Sequence, residues 1–285
     1  MSIWEALILG VVQGVTEFLP VSSSGHLVLL QKIFGIKEPA LFFDTAVHGG
    51  TLIAVIVVLR QDIWNILRRI VQPLTLYLII ATIPAVIAAL LFKDRIEEAF
   101  SSGAFLGFAF LATSALLVVS DILYRGSGKP GGLPAKLDGP PKARTQDEMN
   151  WVDALAIGLL QAVAIIPGIS RSGATISGAL SRRFDRDFAA RFSFLLSIPA
   201  ILGAFVLQVK DLATAGAASE AAAGTAGIGL LPIAVGSISA CIVGFLSIRL
   251  TLKIVREHAL WGFALYTGVL GLLVLADKFG THFFF

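Results

Sequence analysis

A stretch near the N-terminus returns, altered, in the middle of the chain, and any fold for this sequence has to house both copies. With an offset of 148, Ala6, Leu7, Gly10, Gln13, Val15, Ser22, Ser24 and Gly25 fall on Ala154, Leu155, Gly158, Gln161, Val163, Ser170, Ser172 and Gly173 without a gap. Apolar composition supplies chance matches of Ala, Leu and Val, but hardly a matched Gln, Ser, Ser and Gly. The differences carry as much information. Glu17 becomes Ile165, Ser23 becomes Arg171, and His26 becomes Ala174. One copy holds a carboxylate and an imidazole, the other a guanidinium. Two turns with a purely structural role would not need that division.

Each copy breaks an apolar helix. Gln13 and Glu17 are four apart and share a helix face. Pro20 makes continuation of that helix unfavourable, and the residue before it prefers an extended backbone. Ser22, Ser23, Ser24 and Gly25 then form a hydroxyl-rich turn, and His26 opens a new apolar run. The second copy breaks at Pro167-Gly168 in the same way.

What surrounds these breaks decides the class. The chain has 285 residues, 56% hydrophobic and only 14% charged, with a mean hydropathy of +0.86. A soluble domain cannot hide that much apolar surface, so the expectation is an integral membrane protein. Met1 to Glu5 carries no basic residue, so no cleavable secretory signal is expected. Cys241, the single cysteine, excludes an internal disulfide and suits a small packing residue. The net charge of +3 comes without a basic tract interleaved with aromatics, which excludes nucleic acid as a partner.

Spanning the hydrocarbon takes about 20 apolar residues. Pro73–Phe92, Gly103–Ser120, Phe192–Val209, Ile228–Ile248 and Ala259–Ala276 are free of charge over sufficient length, and Leu41–Leu59 makes a sixth window that carries Asp44 and His48. Ala6–Thr16 and Ala154–Ile166 are too short to span and suit re-entrant hairpins. The expected fold is an all-α polytopic membrane protein: six transmembrane helices plus two re-entrant helical hairpins in an inverted repeat. Repeat 1 covers about 1–124, a linker about 125–150, and repeat 2 about 151–285, all within one membrane domain. One hairpin plus three spans reverses the chain, so the two copies should be inverted with their turns meeting near the midplane, as in inverted-repeat transporters.

Fifteen Lys and Arg fall on the side of residues 60–72, 121–151, 182–191 and 249–258, against six on the other. The richer side is expected to be cytoplasmic, with both termini outside. Residues 126–150, rich in Pro and Gly, read as a flexible linker, and Ala213 to Gly227 as a low-complexity loop.

Pro167-Gly168-Ile-Ser170-Arg171-Ser172-Gly173-Ala-Thr175 has the makings of an oxyanion site. Its glycines permit close backbone approach, its hydroxyls donate, and a helix expected to start near Ala174 points its positive end at the turn. Arg171 can grip a phosphate through two parallel hydrogen bonds, and an intramembrane arginine marks a functional site. In the other copy, a carboxylate near His26 would orient the imidazole and raise its basicity. Gln13 and Glu17 together offer oxygens to a hard divalent cation. Asp44 and His48 either line the same cavity or form a buried hydrogen-bonded pair; the sequence leaves both open.

Gln13-x-x-x-Glu17, Pro20-Val-Ser-Ser-Ser-Gly-His26 and the Pro167 to Thr175 stretch resemble the two signature motifs of the undecaprenyl-diphosphatase (bacitracin-resistance) family. The likeness covers the whole chain in length, motif order and spacing. It implies hydrolysis of undecaprenyl diphosphate to the monophosphate carrier of cell-wall synthesis, with Mg²⁺ or Ca²⁺, at a site on the outer face of the bacterial inner membrane. It matches Glu17, Ser23, His26, Ser170, Arg171 and Thr175 to family active-site positions. Gln13 stands where the family pattern also allows an acid, which leaves one carboxylate for a metal instead of two.

A polyprenyl diphosphate has a head that wants a polar pocket and a tail that wants membrane lipid, and a site at hairpin tips serves both. Catalysis would be positioning and charge stabilisation. Arg171, Ser170, Thr175 and the cation are assigned to the phosphates, with Gln13, Ser22, Ser24 and Ser172 as further binding groups. Ser23 and His26 compete as nucleophile. Ser23 is preferred because it occupies the position of Arg171 in the other copy, which leaves His26 as acid/base. The alternative is an inverted-repeat transporter or flippase of a polyprenyl phosphate lipid, which the unequal reactive groups of the two copies disfavour. Whether the protein forms a homodimer is open.

Overall fold

The computed structural model describes residues 1–36, 41–103, 105–125, 143–215 and 229–283. Within them the chain is all-α. The first half runs α1 (Ile3–Thr16), α2 (Ser23–Ile33), α3 (Leu41–Val58), α4 (Arg60–Arg68), α5 (Pro73–Leu91), α6 (Lys93–Ser102) and α7 (Leu106–Arg125). The second runs α8 (Trp151–Val163), α9 (Arg171–Ser181), α10 (Arg186–Ala215), α11 (Leu230–Glu257) and α12 (Trp261–Ala276).

Five of these, α5, α7, α10, α11 and α12, are long and apolar enough to cross a membrane. The sixth expected span, α3, breaks at Leu59, and α4 turns away from it by 76°. The bend falls where charge begins: α4 carries Arg60, Asp62 and Arg68 beside exposed Trp64 and Leu67, a pattern that suits the membrane surface. At 1.5 Å per residue, 14-residue α1 and 13-residue α8 reach about 20 Å, short of the ~30 Å hydrocarbon layer.

The distribution of polarity is that of a protein in lipid. Leu90, Ile122, Val206, Leu246, Leu265 and Leu272 lie exposed on the long helices, whereas Thr51, Thr113, Asp121, Ser193, Ser197 and Thr267 are buried. Apolar side chains that gain nothing by leaving lipid can face outward, while polar groups must find partners inside. Inside, Phe18 meets Phe194 edge to face at 5.3 Å, and Phe184, Phe188 and Phe192 form a second aromatic run.

Each short hairpin helix packs on a long helix of the other half, α1 on α11 and α8 on α5. The matched glycines sit at these two crossings. A Cβ on Gly10 would lie 2.2 Å from the Gly236 carbonyl oxygen, and one on Gly158 would lie 2.6 Å from that of Ala81. The likeness of the halves also reaches further toward the N-terminus than the identities do. Ser2 with Glu5 forms a capping box on α1, and Asn150 with Asp153 forms one on α8, again 148 apart.

Most of the expected linker and of the Ala/Gly run falls outside the described residues. The end of the linker is not free chain, however. Arg144 pairs its backbone with Arg183 and Asp185, and its guanidinium reaches both oxygens of Asp153, which also accepts from Arg182 Nε at 2.6 Å. Asp153 is fully buried, and the two guanidiniums supply the charge that burial demands.

Candidate functional site

The two tips begin their second helices in the same way. Ser22 caps α2 by accepting from Gly25 N at 3.2 Å, and Ser170 caps α9 by accepting from Gly173 N at 2.9 Å. Ser23 and Arg171 are therefore both first residues of a helix. The second helix starts three residues earlier than the expected Ala174, because Ser170 is a competent cap that the hydroxyl-rich reading treated as open turn. Thr113 of α7 holds the second tip by accepting from Ser170 N at 3.0 Å.

The tips meet. Ser172 donates to the Leu19 carbonyl at 2.9 Å, and Gly168 N approaches Ser24 Oγ at 3.4 Å. At the junction Glu17, 5% exposed, gathers groups from both halves. Arg171 Nη2 donates to Oε1 at 2.7 Å, and Ser23 Oγ donates to Oε2 at 2.6 Å. Gln13 Nε2 donates to the same Oε2 at 3.1 Å, and His48 Nε2 stands 3.5 Å from it. A cavity of about 350 Å³ opens over this cluster. Its polar side includes Glu17, Ser22, Ser23, Ser24, Asp44, Thr45, His48, Gln161, Ser170, Arg171 and Ser172, and its apolar side includes Leu27, Ala85, Ile165, Ile169, Ala200, Ile201 and Ala204.

Three expected site residues stand apart from this lining. Gln13 is fully buried behind Glu17, its Nε2 turned to the carboxylate and its Oε1 without a partner. Thr175 is fully buried and tied to Arg171 O at 2.9 Å and Ser193 Oγ at 2.6 Å, so it braces the arginine's helix. His26 is not beside Glu17 as expected. Starting α2 at Ser23 carries residue 26 to the far side of the turn, where its Nε2 meets Tyr266 OH at 2.7 Å. The imidazole beside the carboxylate is His48, and with Asp44 it lines the cavity, so the first of the two readings for this pair describes it. Asp44 is held by Gln31 Nε2 at 2.7 Å. Gln161, noticed only as the repeat partner of Gln13, also reaches the cavity; the offset was the signal that could have nominated it.

Around the expected cation pair, Gln13 and Glu17, the structure shows hydrogen-bond donors. Both oxygens of Glu17 are engaged by donors, one of them a guanidinium, and Gln13 offers it N–H instead of oxygen. Among the described residues no group of three His, Cys, Asp or Glu is placed to hold a metal ion.

Fold and pocket together define a multi-pass membrane protein with a hydroxyl, a carboxylate and a guanidinium converging at two meeting hairpin tips, one side of the pocket being apolar. The family model described as Bacitracin resistance protein BacA matches residues 6–273. An undecaprenyl-diphosphatase of Carboxydothermus hydrogenoformans is 43% identical over 275 residues, covering 96% of this chain and 97% of its own. An undecaprenyl-diphosphatase 4 of Bacillus thuringiensis subsp. konkukian is 40% identical with 98% of each chain covered, and an undecaprenyl-diphosphatase of Methanosphaera stadtmanae is 36% identical, covering 96% and 98%. The chain belongs to the BacA bacitracin resistance family.

Proposed function

We infer that the protein hydrolyses undecaprenyl diphosphate to undecaprenyl phosphate and inorganic phosphate, which recycles the lipid carrier and gives bacitracin resistance. The observation that carries this is the single carboxylate with a serine on one oxygen and an arginine on the other, each at the first residue of its helix. Ser23 is the nucleophile and Glu17 its base, since a free hydroxyl is weak until a base takes its proton. Arg171 leaves Glu17 to bind the phosphate, and the N-termini of α2 and α9 add their partial positive charge. Ser22, Ser24, Ser170 and Ser172 offer hydroxyls to the diphosphate oxygens, while the apolar side near Ala200 and Ala204 suits the start of the prenyl chain. His26 and Thr175 position the two helices from behind. Mg²⁺ or Ca²⁺, when bound, would neutralise charge on the substrate's phosphates beside Arg171 and the tip hydroxyls.

The pocket is assigned to the outer side of the inner membrane, with termini outside and residues 126–150 cytoplasmic, on the basic asymmetry of the two sides. The relatives' names and the unequal tips favour a hydrolase over a transporter or flippase. The test is phosphate release from undecaprenyl diphosphate by detergent-purified protein with Mg²⁺ or Ca²⁺. Release is expected from wild type and not from Glu17→Gln. A wild-type protein that binds the lipid and releases no phosphate would reverse the reading.

A further inference from the structure

Two imidazoles lie near the pocket, and their hydrogen bonds assign them different roles. His26 has both nitrogens engaged, Nδ1 at 2.6 Å from the Ser22 carbonyl and Nε2 at 2.7 Å from Tyr266 OH. Its ring is stacked on Tyr266 and set edge-on to Phe110. His48 has one nitrogen engaged. Its Nδ1 is 2.6 Å from the Asp44 carbonyl, which only accepts, so Nδ1 carries the hydrogen and Nε2 is left toward Glu17. The side chain of His48 keeps 28% of its surface exposed, against 4% for Glu17.

We propose that His48 clears from Glu17 the proton that Ser23 gives up, and passes it to the water of the cavity. The proposal rests on the Ser23–Glu17 reading above. As the Ser23 Oγ–phosphorus bond forms, the Oγ–H bond breaks and the proton goes to Glu17 Oε2. The bond from phosphorus to the bridging oxygen breaks, and the lipid monophosphate leaves with that electron pair. Glu17 must then be ionised again before it can act on water, and neutral His48 Nε2 accepts the proton. In the second half, water attacks the phosphoserine and its proton passes through Glu17 to Oγ as inorganic phosphate departs. One carboxylate thus serves as base twice. The charged groups around His48 are Glu17 from the first tip, Arg171 of α9 beyond it, and Asp44 on its own helix. Among the described residues α10 lines the cavity with Ala200, Ile201 and Ala204, and where α11 crosses Gly50, Thr51 and Ala54 of α3 it presents Ser237, Cys241 and Gly244.

The experiment is phosphate release from a prenyl diphosphate by purified protein between about pH 5 and about pH 8, the range in which an imidazole changes charge. Wild type should lose turnover on the acid side, because an imidazole that already carries its proton cannot accept another. His48→Gln should lower kcat about 100-fold, the scale of lost acid–base assistance, with KM nearly unchanged and the acid limb gone. His26→Gln should keep that limb whatever its kcat, and added imidazole should restore His48→Ala about tenfold or more. A wild type without an acid limb overturns the proposal with no variant needed, and so does a His48→Gln protein that keeps it. If Ser23→Ala and Glu17→Gln are inactive while His48→Gln is undisturbed, only the His48 step falls. Near-normal turnover by Ser23→Ala removes the Ser23–Glu17 reading and this step with it.

Discussion

The first tip places Ser23 on Glu17 Oε2, and the second, 148 residues on, places Arg171 on Oε1 of the same carboxylate. Behind them the capping chemistry is shared, a serine accepting from the glycine three residues later in both. The cap uses the residue before the helix, whereas the first helical residue needs no particular side chain to hold the turn. That position is free to differ, and here it does. The framework is duplicated and the reactive groups are divided. The backbones are not identical either: Ser22 has φ +72°, in the left-handed region, and Ser170 has φ −70°.

Removing either reactive group should produce the largest effects. Arg171→Ala should lower kcat by about 10²–10³, as expected for a lost charge-stabilising donor. Ser23→Ala should fall below about a tenth of normal turnover, since a loss of only ~1.4 kcal/mol is too small for a missing nucleophile. Steady-state kinetics on prenyl diphosphate check both. A large loss at one tip with near-normal turnover at the other would break the comparison.

Next in size come the crossings that hold the tips in register. Gly10→Ala and Gly158→Ala each drive a methyl into a carbonyl of the other half, and each should cost about 1–3 kcal/mol or more. Thermal unfolding in detergent should show Gly10→Ala as the worse, its contact being 2.2 Å against 2.6 Å.

The caps of α1 and α8 should differ too. Glu5 is half-buried and its capping serine exposed, while Asp153 is buried against Arg144 and Arg182. Burial works against ionisation of Asp153, but the hydrogen bonds from the two arginines and from Asn150 N overcome it and hold the carboxyl below its usual range. A depressed carboxylate contributes stability that is present above the unfolded value and lost as pH falls through the folded one. Unfolding midpoints should therefore drop on acidification below about pH 4, and Asp153→Asn should remove part of that drop. Asp153→Asn should cost about 3 kcal/mol, as for a broken buried pair. Glu5→Gln should cost less than about 1 kcal/mol.

The smallest effect separates the two serine caps themselves. Glycine replaces a capping serine at a cost of a few tenths of a kcal/mol, roughly 0.3, and it also relieves a positive φ. Ser22→Gly should thus be near neutral in unfolding midpoint, and Ser170→Gly mildly destabilising. Equal losses would show that the two backbones differ less than their angles indicate.

Local sequence determined the membrane class, the two short broken helices, and the pairing of Ser23 with Arg171 through the offset. The first two are properties of nearest neighbours: apolar length and a proline that stops a helix. The tertiary structure decided the rest. It set His48 against Glu17 from 31 positions away and sent His26 to Tyr266, 240 positions away. It folded the end of a Pro- and Gly-rich linker onto Arg183 and Asp153, and it ended α3 at a 76° bend. The direction in which a side chain leaves a helical turn depends on where that helix begins and on what packs beside it. A buried carboxylate takes whichever partners the fold delivers to it: donors from α1, α2 and α9, and the His48 imidazole of α3 beside them.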